Sequence, residues 1–389
     1  MRVAVIGNGQ SVHVVGRSAA LAARGLKLRL VTLGPVLPAP GVEVRTRPIP
    51  RHPLAAIRAF STFMRDVRSF QPELLHLHYA GGRLGSLALL TGFRPLVVNV
   101  MGGDVLPEQH EGGLSSRARR TTARLLKRAD ALLVKSEALL QAVSALTEVG
   151  TKSHVVRWGV DPQDFFQDPE GAATWRRRLQ LESDAIAILS PRLLRPLYNI
   201  HLIVDAFVEV AASFPQAVLL IAEYGADPGY RREIEARVER QGLRTRVRMI
   251  GEVAHADMRG LYSAVRAVVM APSSDGLPQS LFEALSCGTP VVLGRLPGYA
   301  EVVEDGRSAL FVELSAPSIA AGLRRVLADP TLAESLAREG LAAVSRKASL
   351  PEDVDRVLKI FESVRARPGD AAPQDPMGAL QDFVGLVRP

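Results

Sequence analysis

Ala271-Pro272-Ser273-Ser274-Asp275-Gly276-Leu277-Pro278-Gln279-Ser280-Leu281-Phe282-Glu283-Ala284-Leu285-Ser286-Cys287-Gly288-Thr289-Pro290-Val291-Val292 is the stretch that decides the fold. It begins where the apolar run 267–270 stops and ends where the apolar run 291–293 starts. Pro278 suits the first turn of a helix, where a missing N–H costs nothing. Gly288 suits a helix stop. The stretch therefore reads strand, loop, helix over 279–286, strand. The first N–H groups of that helix, near Ser280 and Leu281, have no partner within it and, with the helix dipole, attract an anion such as a phosphate. Asp275 sits in the loop before them, placed to accept hydrogen bonds from sugar hydroxyls. Glu283 lies one turn into the helix, placed for a vicinal diol such as a ribose. Taken singly, Asp275 is better read as a loop or capping carboxylate and Glu283 as a solvated helix residue. Taken with the helix start, they outline a nucleotide-sugar site.

A chain of 389 residues has room for two to three domains, at about 100–200 residues each. With 47% hydrophobic and 23% charged residues it is globular, with enough apolar material for large cores. One cysteine, Cys287, excludes an internal disulfide framework; its place in the small-residue turn after the helix makes it a packing residue. No run approaches the roughly 20 apolar residues of a membrane span. The opening Met1-Arg2-Val3-Ala4-Val5-Ile6-Gly7 is too short for a signal peptide and reads as the first strand. A cytoplasmic location follows as the expectation, at most peripheral at the inner membrane face. A net charge of +8 admits nucleic acid, an anionic membrane or an acidic acceptor. Aromatics are only 5% and do not interleave with basic residues, so no nucleic-acid partner is expected.

Before the opening stretch, apolar runs alternate with amphipathic helices, the pattern of an α/β doubly wound sheet. Strands are expected at 3–6, 27–33, 42–45, 74–77, 96–100, 131–134 and 154–157, with helices including 12–24, 54–70 and 116–128. After the first strand, Gly7-Asn8-Gly9-Gln10-Ser11-Val12-His13 lacks the third glycine of a dinucleotide fingerprint. The second strand ends Val31-Thr32-Leu33-Gly34 without an acid, so NAD is not expected. His76 and His78 point the same way on a strand, but no nearby carboxylate or cysteine completes a metal site. The helix carrying Arg117, Arg119, Arg120, Arg124, Lys127 and Arg128 has an apolar side of Leu114, Ala118, Leu125 and Ala129. Its basic face is either solvated or drawn to an anionic lipid surface or lipid-phosphate acceptor. Residues 167–173, with Asp168-Pro169-Glu170-Gly171, read as a linker. A second alternating series follows, with strands at 185–190, 217–222, 247–250, 267–270, 291–293 and 309–312.

The opening stretch resembles the donor-site signature of the retaining glycosyltransferases of the GT-B fold, family 4 or glycosyl transferases group 1, a family related to sucrose synthase. Their pattern is Pro-Ser, two residues, Glu-Gly-Phe/Leu-Gly/Pro, three residues, Leu-Glu-Ala-Met/Leu, two residues, Gly-x-Pro-Val-Val. The acidic positions here are Asp275, one methylene shorter than the usual Glu, and Glu283. Other stretches share the likeness. Pro191-Arg192-Leu193-Leu194-Arg195-Pro196-Leu197-Tyr198-Asn199 is similar to Gly-Arg-Leu-x-x-x-Lys-Gly, with the Lys position at Leu197, Tyr198 or Asn199. Asn99-Val100-Met101-Gly102-Gly103-Asp104 is similar to a His-Gly-x-Asp loop in which Met101 replaces His. Trp158-Gly159-Val160-Asp161 is similar to Asn-Gly-Val-Asp.

The resemblance implies two doubly wound Rossmann-like domains facing across a cleft: an acceptor-side domain over 1–166 and a nucleotide-sugar domain over 174–350. A helix over 351–366 would return to the first domain, ahead of a flexible tail, 367–389, with a short helix. It implies a catalytic set of Arg192, Asp275 and Glu283. Donor binding would involve Arg195, Asn199, Tyr224, Gly251, Gly276, Leu277, Ser280 and Leu281, with Arg192 and Arg195 sharing the diphosphate. Cleft residues would be Gly7, Gly9, His13, His78, Gly102, Gly103 and Asp104, His13 being equally a helix-surface residue. Glu301 would cap its helix. The implied reaction moves a hexose from a nucleotide diphosphate sugar to a hydroxyl of a polysaccharide, lipid or small molecule, with retention. It needs no cofactor and no metal. Other outcomes on this fold are a sugar-nucleotide 2-epimerase, a phosphorylase, or a non-catalytic nucleotide-sugar-binding protein.

Overall fold

The structure is a computed structural model that describes residues 1–49, 53–110 and 113–366, with side chains 53–57 left out; the expected tail, 367–389, lies outside the described residues. The chain forms two compact units, one of Met1–Trp158 with the stretch from Pro351, the other Gly159–Leu350.

The first unit holds a seven-stranded sheet of β1 (Arg2–Ile6), β2 (Lys27–Leu33), β3 (Val42–Arg47), β4 (Leu74–His78), β5 (Leu96–Asn99), β6 (Ala131–Val134) and β7 (Ser153–Val155). Its strands run in the order β3-β2-β1-β4-β5-β6-β7, and every paired neighbour is parallel. The connections are α1 (Val12–Ala23), α2 (Pro53–Ser69), α3 (Gly82–Thr91), α4 (Ser116–Arg128) and α5 (Glu137–Leu146). β1 and β4 to β6 are mostly apolar, with His76, His78 and Asn99 among them, and are buried along almost their whole length, as the central strands of a two-faced parallel sheet must be.

The second unit starts with α6 (Pro169–Arg178) and builds a six-stranded sheet. Its elements are β8 (Ile186–Ser190), α7 (Ile200–Ser213), β9 (Ala217–Ile221), α8 (Pro228–Arg240), β10 (Val247–Met249), α9 (Met258–Ala264), β11 (Ala267–Met270), α10 (Gln279–Ser286), β12 (Val291–Gly294), β13 (Leu310–Val312), α11 (Ala316–Ala328) and α12 (Pro330–Lys347). The order is β10-β9-β8-β11-β12-β13, again all parallel. One core lies on each face of this sheet. Helix α13 (Leu350–Arg365) is the last helix among the described residues, and its residues from Pro351 belong to the first unit. There Phe361 packs edge-on to His76 and Arg356 donates to the Val155 carbonyl.

Three local expectations are corrected. Residues 167–173 are not a linker: Asp168 is the N-cap of α6, accepting from the Gly171 N–H, and Pro169 sits at the first helical position. The residue types that form turns are also those that start helices. Pro278 is the N-cap of α10 and not its first turn, while Gly288 takes the left-handed conformation (φ 70°) that ends the helix. At Glu301 the chain forms a short 3-10 turn, Pro297–Glu301, in place of the α-helix expected there.

Each sheet changes its winding direction between the first strand and the strand beside it, β1/β4 in the first unit and β8/β11 in the second. In such sheets ligands bind outside the carboxyl ends of the strands at this point.

Candidate functional site

In the second unit, the loop after β8 brings Arg192 to that edge and the loop after β11 brings Asp275. Arg192 donates from Nη2 to Asp275 Oδ2 at 2.6 Å and from Nη1 to Ser280 Oγ at 2.9 Å. Both Arg192 and Asp275 side chains are 11% exposed. Burial alone would lower the Arg192 pKa; Asp275, with Tyr198, Tyr299 and Tyr262 around it, more than offsets this and holds it above its ordinary value. The guanidinium is a permanent cation, and its Nε is buried without a partner. Arg192, Asp275 and Ser280 are thus one cluster at the start of α10, as the sequence suggested. The sequence did not suggest that Arg192 and Asp275 would be bonded to each other.

No side chain caps α10, because Pro278 supplies none. Leu281 is fully buried and Leu277 is 1% exposed, so these two contribute backbone and packing only. Leu277 has φ 80°, a left-handed backbone rare for a bulky residue, which marks the loop as constrained. Gly276 is buried beside it.

Asn199 has φ 51°, the left-handed conformation that a glycine provides most cheaply; of the three places open to the motif's Lys, this favours Tyr198, with Asn199 at the Gly. The Tyr198 ring lies 4.6 Å under the Arg192 guanidinium carbon. The ring gives the guanidinium an aromatic platform. The Asn199 Nδ2 donates to the Ala271 carbonyl and to Ser273 Oγ, each at 2.8 Å, tying the two loops together.

Arg195 is exposed and donates from Nε to the Gly225 carbonyl at 2.9 Å; it makes no contact with Asp275 or Ser280. Tyr224, at the end of β9, is 45% exposed. Gly251 donates its N–H to Glu223 Oε2 at 2.9 Å, and its carbonyl accepts from the Glu223 N–H.

Glu283 is not a solvated helix residue. It is 7% exposed. His255 Nε2 lies 3.0 Å from Oε1, and the Tyr262 hydroxyl donates to Oε2 at 3.2 Å. The hydrogen bond to Glu283 raises the His255 pKa, against burial, with the charges of Glu283 and Asp164 adding to it. Burial, and then Glu283, keeps Tyr262 a neutral phenol. Tyr299 is also held neutral by burial and then by Asp275 beside it. Cys287 is buried and its thiol is pushed up to about 12, first by burial, which makes it inert. His255, Tyr262, Tyr299 and Tyr198 are the site residues that sequence reasoning missed.

The first unit presents a different edge. Gly7 lies where β1 turns into α1; a Cβ there would meet Val14 Cγ1 at 2.7 Å and His78 Cβ at 3.3 Å, so this glycine serves close packing. The Gly9 N–H donates to Thr32 Oγ1 at 3.1 Å. His13 is half-buried in the first turn of α1. His78 does not line an open surface: it is 1% exposed, beside His76 at 0%. Asp104 is 1% exposed, and its carboxylate accepts N–H bonds from Ala80, Met101 and Gly102. It clamps the turn through Gly102 and Gly103, and its pKa is raised by burial despite those bonds. Met101 accepts at its sulfur from Arg17 and Asn99. The basic helix α4 keeps Arg117, Arg119, Arg120, Arg124 and Lys127 exposed, while Arg128 is half-buried and donates to the Leu89 carbonyl. Among the described residues, no group of three or more His, Cys, Asp or Glu side chains is placed to hold a metal, and no helix is long and apolar enough to cross a membrane.

Comparison with known proteins agrees with the paired parallel sheets and the motifs at their edges. The family model described as "Glycosyltransferase Family 4" matches residues 7–164, and that described as "Glycosyl transferases group 1" matches residues 172–342. The chain belongs to this family: it is a glycosyltransferase of the group 1 type with the GT-B fold. Among its relatives is the D-inositol 3-phosphate glycosyltransferase of Acidothermus cellulolyticus, 26% identical, covering 94% of this chain and 88% of the relative. The protein of the same name from Geodermatophilus obscurus is 27% identical over 94% of this chain and 88% of its own. Among solved structures, sucrose-phosphate synthase from Thermosynechococcus elongatus superposes with a TM-score of 0.80 at 21% identity, covering 94% of this chain and 99% of that one. Anabaena HepE, solved with UDP and glucose, superposes at 0.79 with 19% identity over 93% and 100%.

Proposed function

We propose that this glycosyltransferase moves a hexose from a nucleoside diphosphate sugar to a hydroxyl acceptor with retention of anomeric configuration. The observation that carries the reading is the buried Arg192 guanidinium, bonded to both Asp275 and Ser280 where α10 begins. A guanidinium and a helix start converging at a switch point suit a diphosphate. Negative charge grows on the departing diphosphate, and a preorganised cation in a site shielded from water stabilises it most where the charge develops. Glu283 takes the two ribose hydroxyls, Asp275 takes hydroxyls of the transferred sugar, and Tyr224 and Gly251 lie toward the base. The acceptor oxygen attacks on the face from which the diphosphate leaves, and its proton passes to a leaving phosphate oxygen. In this proposal Arg192 and the α10 start supply the positive charge at the diphosphate, so no divalent cation is needed and EDTA leaves turnover unchanged.

The relatives' name makes a phosphorylated cyclitol the first acceptor to try, followed by sugars and lipid-linked sugars. The exposed arginines of α4 suit an anionic acceptor or bilayer; co-sedimentation with phosphatidylglycerol vesicles, lost when Arg119, Arg120 and Arg124 become Ser, is the check on that part. The main experiment incubates the chain with UDP-, GDP- and ADP-hexoses and this acceptor panel. It follows nucleoside diphosphate release and reads the anomeric proton of the product by NMR. Transfer with retention is expected. Inversion removes the proposed stereochemistry, release of a sugar phosphate indicates a phosphorylase, conversion of the donor without acceptor indicates an epimerase, and binding without turnover indicates a binding protein.

A further inference from the structure

His255 lies outside every stretch that marks the donor site in the sequence, yet it is held against Glu283. It enters from the 3-10 turn His255–Asp257 that follows β10, its ring packed against Phe165 at 5.2 Å between centroids. Its side chain is 43% exposed and the Glu283 side chain 9%. Glu283 is thereby gripped on both oxygens: His255 Nε2 is 3.0 Å from Oε1, and the fully buried Tyr262 hydroxyl is 3.2 Å from Oε2. An ionised carboxylate has about four lone-pair sites. Two donors from the protein therefore fix its plane and leave about two sites for a diol. Tyr262 holds from the core and cannot follow a ligand. His255 stands at the rim, where a nucleotide would arrive.

We propose that His255 is a positioning residue: with Tyr262 it sets the Glu283 carboxylate to accept the two vicinal hydroxyls of the donor's ribose, and so enforces selection of ribonucleotides over deoxyribonucleotides. This rests on the assignment of Glu283 to the ribose. The imidazole carries its proton on Nε2 toward Glu283, the tautomer that an ionised carboxylate selects. The raised pKa of His255 agrees with that contact. Because His255 does not touch the sugar, removing it loosens the hold on the ribose without changing the chemistry at the anomeric carbon.

The test is calorimetric titration of UDP, GDP and ADP, each beside its 2′-deoxy and 3′-deoxy form, against the wild-type chain and the variants His255→Ala, His255→Gln and Tyr262→Phe. For the best-bound base, the wild type favours the ribonucleotide by about tenfold or more, the scale of hydrogen bonds to a charged group. In His255→Ala that preference falls toward unity and donor KM rises while kcat holds, the pattern of lost ground-state binding. His255→Gln, whose amide can still donate to Glu283, recovers most of the preference. Tyr262→Phe reduces it in part, and this variant carries the test if His255→Ala does not fold. A His255→Ala chain that melts lower but keeps the full preference overturns the inference and makes His255 a structural residue only. A wild type with no preference in any of the three series removes Glu283 from the ribose, and this inference with it, while leaving the Arg192 diphosphate site standing.

Discussion

The two units share a topology and spend their strand ends in opposite ways. In the second unit the edge between β8 and β11 pairs Arg192 with Asp275, and the His255 imidazole is held against the Glu283 carboxylate close by. In the first unit the matching edge holds buried polar atoms that lack hydrogen-bond partners. Both ring nitrogens of His76 are buried without hydrogen-bond partners, as are His78 Nε2 and one terminal nitrogen of Arg17. Arg17 lies over Trp158, its centre 5.0 Å from the ring, and burial pulls its pKa down to about 9 although the charge of Asp353 opposes this. Where the family motif has His and Asn, this chain has Met101, which accepts from Arg17 and Asn99, and Trp158, which donates to Asn99 Oδ1 at 2.8 Å. The likeness of fold says where chemistry would be expected, and the proposed function assigns the diphosphate to the edge whose charged groups are paired.

The largest effect that would break this contrast is at Arg192. Arg192→Ala should lower kcat/KM for diphosphate release by about 100- to 1,000-fold. It should also destabilise the second unit, since removing one partner of a buried pair costs about 3–5 kcal/mol. Arg192→Lys should recover only a part, because a point charge cannot span Asp275 and Ser280 as the planar fork does. Steady-state kinetics and melting curves decide it; a loss under tenfold would mean the charged edge is structural.

Acid should separate the units next. Burial pushes the His76 pKa down to about 3 and His78 well below its ordinary value, with Arg17 adding to both. These imidazoles are neutral when folded and protonate near 6.5 when unfolded, so their contribution is complete above pH 6.5 and falls as pH drops below it. Each loses about 1.4 kcal/mol per pH unit. His255 has the opposite sign: its folded pKa is raised, so its contribution is complete below pH 6.5 and is lost as pH rises through the folded value. Hydrogen exchange between pH 7.5 and 5.5 should therefore show protection falling in β4 and β5 before β11 and β12. His76→Leu should roughly halve that acid slope; an unchanged slope would refute the account of the first unit's edge.

The smallest effect is at Arg195, which is exposed and held to the Gly225 carbonyl. Arg195→Ala should raise donor KM by a few-fold, in keeping with about 0–1 kcal/mol for an exposed charge, and leave the melting temperature alone. Unchanged kinetics would remove Arg195 from the diphosphate.

Much of this was legible in the sequence because it is local. Helix α10 occupies the residues expected from its flanking Pro278 and Gly288, and the expected strands fall at the observed ones to within a few residues. Periodicity and turn residues carry that information directly. Asp168-Pro169-Glu170-Gly171 misled because an N-cap and a turn use the same residue types. The partners of Glu283 were illegible for a different reason. His255 and Tyr262 precede it by 28 and 21 residues, on other elements, and only the folded sheet brings them together. The left-handed backbone of Asn199 was illegible too, because residue type alone does not fix a backbone angle.

The most direct test of the central claim is a crystal structure of the chain with the nucleoside diphosphate it binds best. The account predicts diphosphate oxygens in hydrogen-bonding contact with the Arg192 guanidinium and with backbone N–H groups at the start of α10. A diphosphate seated elsewhere, for example in the depression lined by Glu182, Asp184, Arg246 and Arg248 at the opposite end of the sheet, would contradict it.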